Sequence, residues 1–219
     1  MSIQQNINKY WDYLEQKYPC PKYVGKVKCM EFKDLKKAVD NGNENYIKKL
    51  IKNMYLKREA YILRNSGSKK LKKIIIDLAN HYKKTRKSNF YKMKDGTPNF
   101  HRVIDRNITK KYNLFAIRHS FYFYNWNIRS KLEKNFKDGV YRHWRYVKYL
   151  AGNNKNQFER NIPSDNQIDR LQIIRYPAGG GELKSHVDPR KNQRIVSGLI
   201  MSKIGIDFFK GGFYFKSSK

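Results

Sequence analysis

His186-Val187-Asp188 sets an imidazole and a carboxylate two residues apart. On an extended strand, residues i and i+2 leave the same face, so the two side chains can close on one metal ion. They would form two thirds of a 2-His-1-carboxylate facial set, which leaves three coordination positions for a bidentate co-substrate and for dioxygen. The tripeptide alone carries little weight: with five histidines in the chain, chance supplies an H-x-D about 0.3 times. Its surroundings are more particular. Tyr176 stands ten residues ahead of His186 in Tyr176-Pro177-Ala178-Gly179-Gly180-Gly181, Pro189 follows the aspartate, Arg194 opens an apolar stretch, and Gly211-Gly212-Phe213-Tyr214-Phe215 comes next.

The elements that must position these residues have strand grammar. After Pro163, Leu171, Ile173 and Arg175 alternate with Gln172, Ile174 and Tyr176, a period of two. The three glycines then lead into a second extended piece ending at Asp188. Arg194 to Ser202 and Gly212 to Phe215 read as further strands. The region before it reads as mainly helical, with a turn at Asp95-Gly96-Thr97-Pro98. Ile3, Ile7, Tyr10, Trp11, Leu14 and Tyr18 follow helical spacing until Pro19 and Pro21 stop the helix. Tyr46, Ile47, Leu50, Ile51, Met54 and Tyr61 form a second stripe on a segment ending near Gly67. Ser68 can cap a third helix carrying Leu71, Ile74, Ile75, Leu78 and Tyr82. Leu114, Ile117, Phe121, Tyr124, Ile128, Leu132 and Phe136 make the longest stripe, ending before Asp138-Gly139, and a shorter helix spans Tyr141 to Leu150. Helices followed by strands indicate an α+β chain.

With these residues in place, the stretch from Arg170 to Phe215 resembles the Fe(II)/2-oxoglutarate-dependent oxygenase superfamily, and within it the prolyl-4-hydroxylase-like branch. There a tyrosine-proline-glycine turn, an H-x-D pair, a hydrophobic strand and a glycine-glycine strand occur in the same order. The likeness covers about a fifth of the chain. It implies N-terminal helices (residues 1–160) packed on the first half of a double-stranded β-helix, a cupin-like jelly roll (residues 161–219). It implies His186 and Asp188 as iron(II) ligands, Tyr176 as a contact of 2-oxoglutarate beside the metal, and Met201 in the lining of the co-substrate pocket, where some relatives carry tyrosine or leucine. The implied reaction decarboxylates 2-oxoglutarate to succinate with O2 and hydroxylates a C–H bond of a small-molecule or protein side-chain substrate. Retention of Asp188 favours hydroxylation over halogenation, because related halogenases carry a small residue there. In the family a second histidine and a basic residue follow the glycine-glycine strand. The expectation is therefore that both lie beyond Lys219 and that the chain is a fragment. His81, His101, His119 and His143 all precede the motif and read as ordinary surface or hydrogen-bonded histidines.

Composition bounds the remaining readings. At 219 residues with 39% hydrophobic and 15% aromatic content, the chain can bury a core. No apolar run reaches the length of a membrane span, and Met1 to Lys9 lacks a signal-peptide core, so a cytoplasmic protein without membrane partners is expected. Cys20 and Cys29 are too few for a four-thiolate zinc site and are not spaced as C-x-x-C; they read as reduced structural thiols. The net charge of +30 supports a second reading, a basic nucleic-acid-binding protein without catalysis, in which His186 and Asp188 are incidental. Solvated lysine faces explain the same charge more simply, and 36 of the 48 basic residues precede Gly152.

Overall fold

The structure, a computed structural model, describes residues 2–85, 101–104, 116–165, 167–176, 182–183, 185–186 and 194–217. The chain is mixed α and β with small sheets, as its α+β grammar predicts. It divides into two compact units interleaved along the sequence. The first comprises residues 1–68, 141–157 and 193–219, and the second residues 69–140 and 158–192.

In the first unit, α1 (Ile3–Lys17) begins at a capping box in which Ser2 Oγ accepts from Gln5 N and Gln5 Oε1 accepts from Ser2 N. It buries Ile7, Trp11 and Leu14 and gives way at Tyr18 to extended backbone, as required of a residue before proline. Trp11 Nε1 donates to Leu150 O at 2.7 Å, and Tyr55 OH to Tyr18 O at 2.8 Å, so both buried aromatics satisfy their polar ends. After β1 (Val27–Glu31), α2 (Phe32–Asp40) and α3 (Glu44–Leu56) lead to β2 (Ala60–Arg64). The two strands pair in parallel, from Val27 opposite Ala60 to Glu31 opposite Arg64, which the intervening helices make possible as a crossover. Tyr61, expected on the helical stripe of α3, lies in β2 instead. Helix α3 ends at Leu56, and Arg58 takes a positive φ of 52° that turns the chain into the strand. Gly25 is required beside that turn, because a Cβ there would stand 2.1 Å from the Lys57 carbonyl oxygen.

The second unit is built around one strand. Helix α4 (Lys69–Thr85) buries Leu71, Ile74, Ile75, Leu78 and Tyr82, the stripe the sequence predicts. Strand β3 (His101–Ile104) pairs antiparallel with β4 (Ala116–Phe123). A 3-10 turn at Asn125–Asn127 leads to α5 (Lys131–Leu150). The long helical stripe expected from Leu114 to Phe136 is thus a strand, a turn and a helix. Ser120 to Tyr124 are all buried, so this central strand shows no alternation, and its aromatic run falls by coincidence on helical spacing. Helix α5 also runs through Asp138-Gly139, where the sequence suggests a stop. Gly139 serves packing: a Cβ there would meet Leu71 Cδ1 at 2.6 Å. The helix opens on a capping box between Ser130 and Glu133, and the buried Glu133 carboxylate also accepts from Tyr82 OH. Tyr82 stacks on Phe121 at 5.5 Å, and Phe136 meets Phe123 at 4.8 Å, closing the core over one face of β4.

Candidate metal centre

The residues singled out by sequence follow two strands that pair with β4. Strand β5 (Leu171–Arg175) occupies the span the alternation predicts, with Leu171 and Ile173 buried opposite Phe123 and Phe121 and Ile174 exposed. Strand β6 (Glu182–Leu183) is antiparallel to β4 farther along, with Leu183 opposite Ala116 and Glu182 opposite Ile117. With Arg175 opposite His119, an unbroken ladder would bring residue 178 opposite Ala116. Leu183 stands there instead, so the connection between the strands is five residues longer than a continuous ladder needs. The sequence between the strands includes the proline-glycine stretch, whose composition suits a turn and not a central strand.

Tyr176 directly follows β5 and is 44% exposed, its polar end in reach of solvent. His186 comes three residues after β6 and is exposed. The β4 residues opposite Arg175 and Leu183 are three apart, about 10 Å along a strand. Asp188 and the Pro177–Gly181 turn lie outside the described residues. Met201 is half-buried in the first unit, in the segment from Arg194 to Ser217. Among the described residues no group of three or more His, Cys, Asp and Glu side chains converges. An imidazole and a carboxylate are among the donor types that suit a non-haem iron(II) ion.

Two further strands expected from sequence, Arg194 to Ser202 and Gly212 to Phe215, do not form. Between Arg194 and Ser217 the backbone makes only isolated bridges, Val24 with Ser217 and Ile204 with Phe208. The segment is held by side chains instead. The Arg194 guanidinium donates to Asn8 Oδ1 at 2.6 Å, Asp12 Oδ1 at 2.5 Å and Glu15 Oε2 at 3.0 Å, and lies over the Trp11 ring. An arginine that opens a strand in the sequence reading is in fact an anchor on α1.

Of the earlier histidines, His119 is on β4 and not on a helix as the stripe suggested. His143 is buried on α5, with Ser197 Oγ 3.3 Å from its Nε2 and the Phe32 ring 6.0 Å away. Burial pushes its pKa down to about 4, so the ring is neutral at physiological pH. Cys20 and Cys29 are free thiols, and Cys29 is exposed, contrary to a structural role. No helix among the described residues is long and apolar enough to cross a membrane. Comparison with protein families, with curated proteins and with solved structures found no match to this chain.

Proposed function

We propose that this chain carries the iron-binding strands of an Fe(II)/2-oxoglutarate-dependent oxygenase with a double-stranded β-helix core, one that hydroxylates a small-molecule or protein side-chain substrate. The observation that supports it is the register on β4. Tyr176 directly follows one partner strand and His186 comes three residues after the next. Tyr176 and His186 thus flank the two strands in the order the resemblance requires, with Asp188 two residues on in the sequence.

On this reading His186 and Asp188 hold the metal through imidazole nitrogen and carboxylate oxygen. Tyr176 contacts 2-oxoglutarate beside the metal. Bound iron supplies dioxygen activation coupled to decarboxylation of the co-substrate. The protein's part is to present open coordination positions and to aim one substrate C–H bond at them. On the resemblance, a second histidine and a basic partner for the distal carboxylate are also required.

Fe(II)-dependent conversion of 2-oxoglutarate to succinate tests this. It is measured on the 219-residue chain and on the chain extended by whatever coding sequence follows it, each beside its His186→Ala variant. Succinate formation that disappears with His186→Ala supports the assignment, and confinement of that activity to the extended chain places the remaining groups there. Folded, iron-loaded protein of both lengths without turnover removes the oxygenase reading.

A further inference from the structure

The first unit holds 23 Lys and Arg against 8 Asp and Glu, and the second 25 against 10, so each is about +15. Charge alone therefore does not locate a partner. The arrangement of rings among the charges is more specific, and it concentrates where α1 and α3 lie side by side. Asn6 Nδ2 donates to Glu44 Oε2 at 3.2 Å, Lys48 Nζ stands 5.5 Å from the Tyr10 ring, and Lys52 lies close enough to bias the Tyr13 hydroxyl. Steps of three or four residues on α1 thus match steps of four on α3, and the two helices run in the same direction.

Along this seam Tyr10 stacks on Tyr13 with centroids 6.2 Å apart and planes at 19°, and Tyr18 meets Tyr13 edge-on at 6.3 Å. Lys17 Nζ caps the row, 5.2 Å from the Tyr13 ring and 5.6 Å from that of Tyr18. Hydrogen bonding to Lys17 and Tyr18, and then the charge of Lys52, hold the Tyr13 hydroxyl below its ordinary pKa. Tyr13 is 45% exposed, and Lys17 and Lys52 are exposed. Among the described residues, nearby carboxylates are engaged elsewhere: Glu44 with Lys48 at 2.6 Å, Asp12 and Glu15 with Arg194. The ion pairs there take up neither Lys17 nor Lys52. Lys9 lies one helical turn before Tyr13 on α1.

We propose that this tyrosine-lysine seam binds single-stranded nucleic acid, a base stacking on Tyr13 and adjacent phosphates meeting Lys17 and Lys52. A half-exposed tyrosine ring with ammonium groups beside it matches the alternation of base and phosphate along a strand, the base taking the place of Lys17 over the ring. A duplex hides its base faces and offers only its phosphates. An anionic membrane fits less well, because an interfacial helix must put its broad apolar face into lipid, and Ile7, Trp11 and Leu14 of α1 are already in the protein core.

The test is fluorescence anisotropy of a labelled 12-nucleotide single strand titrated with the whole chain at several salt concentrations. It needs no iron or 2-oxoglutarate. Tyr13→Leu should weaken binding roughly tenfold or more with the salt slope unchanged, while Tyr13→Trp retains affinity. Lys17→Gln with Lys52→Gln should flatten the slope of log K against log salt by about 0.7 for each phosphate no longer neutralised. The pair Lys70→Gln and Lys72→Gln on α4, equal in charge, should do markedly less. Equal losses from the two lysine pairs, or a duplex bound as tightly as the single strand with no effect of Tyr13→Leu, would overturn the proposal by showing diffuse charge attraction. Phosphatidylserine vesicles captured through Tyr13 and Lys17, with the oligonucleotide indifferent to both, would assign the seam to a membrane surface and overturn it as well.

Discussion

Strand β5 and the segment from Arg194 to Ser217 are written in similar apolar grammar and meet different fates. Leu171 and Ile173 of β5 are buried against β4. Val196, Ile200, Ile204, Ile206, Phe209 and Phe213 are each more than 60% exposed, in backbone that forms no ladder. Period-two apolarity prepares a strand to lie between a core and its neighbours, but it supplies no hydrogen-bonding partner. Strand β5 has β4 beside it, whereas the later segment is attached through side chains, among them Arg194, Ile195 against the first unit's core and Ser197 near His143, with Val24 N donating to Lys216 O at 3.0 Å. Alternation gives a propensity, and pairing makes the element.

Substitution on the two sides should separate sharply. Phe121→Ala, beneath β5, removes a ring that is 2% exposed and stacked on Tyr82, and should cost about 3–5 kcal/mol. Phe209→Ala removes a ring that is 80% exposed and should change stability by no more than about 0.5 kcal/mol. Urea unfolding of both variants decides the matter, and similar losses would show that the later segment is as well packed as β5.

The His143 contact offers a pH-dependent test of the segment's attachment. Burial lowers the folded-state pKa to about 4, below an unfolded value of about 6.5. The unfolded chain therefore binds the proton first. The resulting stability is complete above about pH 6.5 and is lost as pH falls toward 4, a change of about 3 kcal/mol. His143→Phe should flatten that part of the urea midpoint's pH profile. An unchanged slope would place the proton uptake on other groups. Asp40, whose carboxylate accepts hydrogen bonds from Lys155 and Lys36 and is held at about 2, should add its smaller loss only below pH 4.

The anchor at Arg194 should show a modest effect on stability. Its guanidinium is partly buried, but the Asp12 and Glu15 carboxylates are 45% and 40% exposed, so Arg194→Ala should cost about 1 kcal/mol. Limited proteolysis should nevertheless cut faster at Lys203 and Lys210, with the α1–α3 core protected. Unaltered cutting would mean that Ser197 and Lys216 hold the segment without the arginine.

Much was legible where an element is amphipathic on its own. Helices α1 and α4 and strand β5 each show one buried stripe, and their residues match the spacing in the chain. Strand β4 was not legible, because burial on both faces erases its period. Parallel β1 and β2 are short and largely exposed, leaving little pattern to find. For the candidate centre, sequence supplied the residue types and the order of Tyr176, His186 and Asp188. The register that sets two of them at the ends of strands on β4 came from the tertiary structure. The tyrosine-lysine seam was missed because Tyr10 and Tyr18 fit the buried stripe of α1, and only the position of α3 left Tyr13 and Lys17 open beside Lys52.

The sequence by itself determined local matters: where amphipathic helices run, where prolines and glycines interrupt them, and which side chains have the chemistry to hold a metal or meet a phosphate. These follow from covalent structure and short-range spacing. Tertiary structure decided which apolar stretches became strands and which stayed unpaired, and what Arg194 and Gly139 are for. Each of those outcomes depends on a partner distant in the chain, such as α1 for Arg194 or Leu71 for Gly139, and a hydrogen bond or close approach to a distant partner leaves no periodic trace in the residues around it.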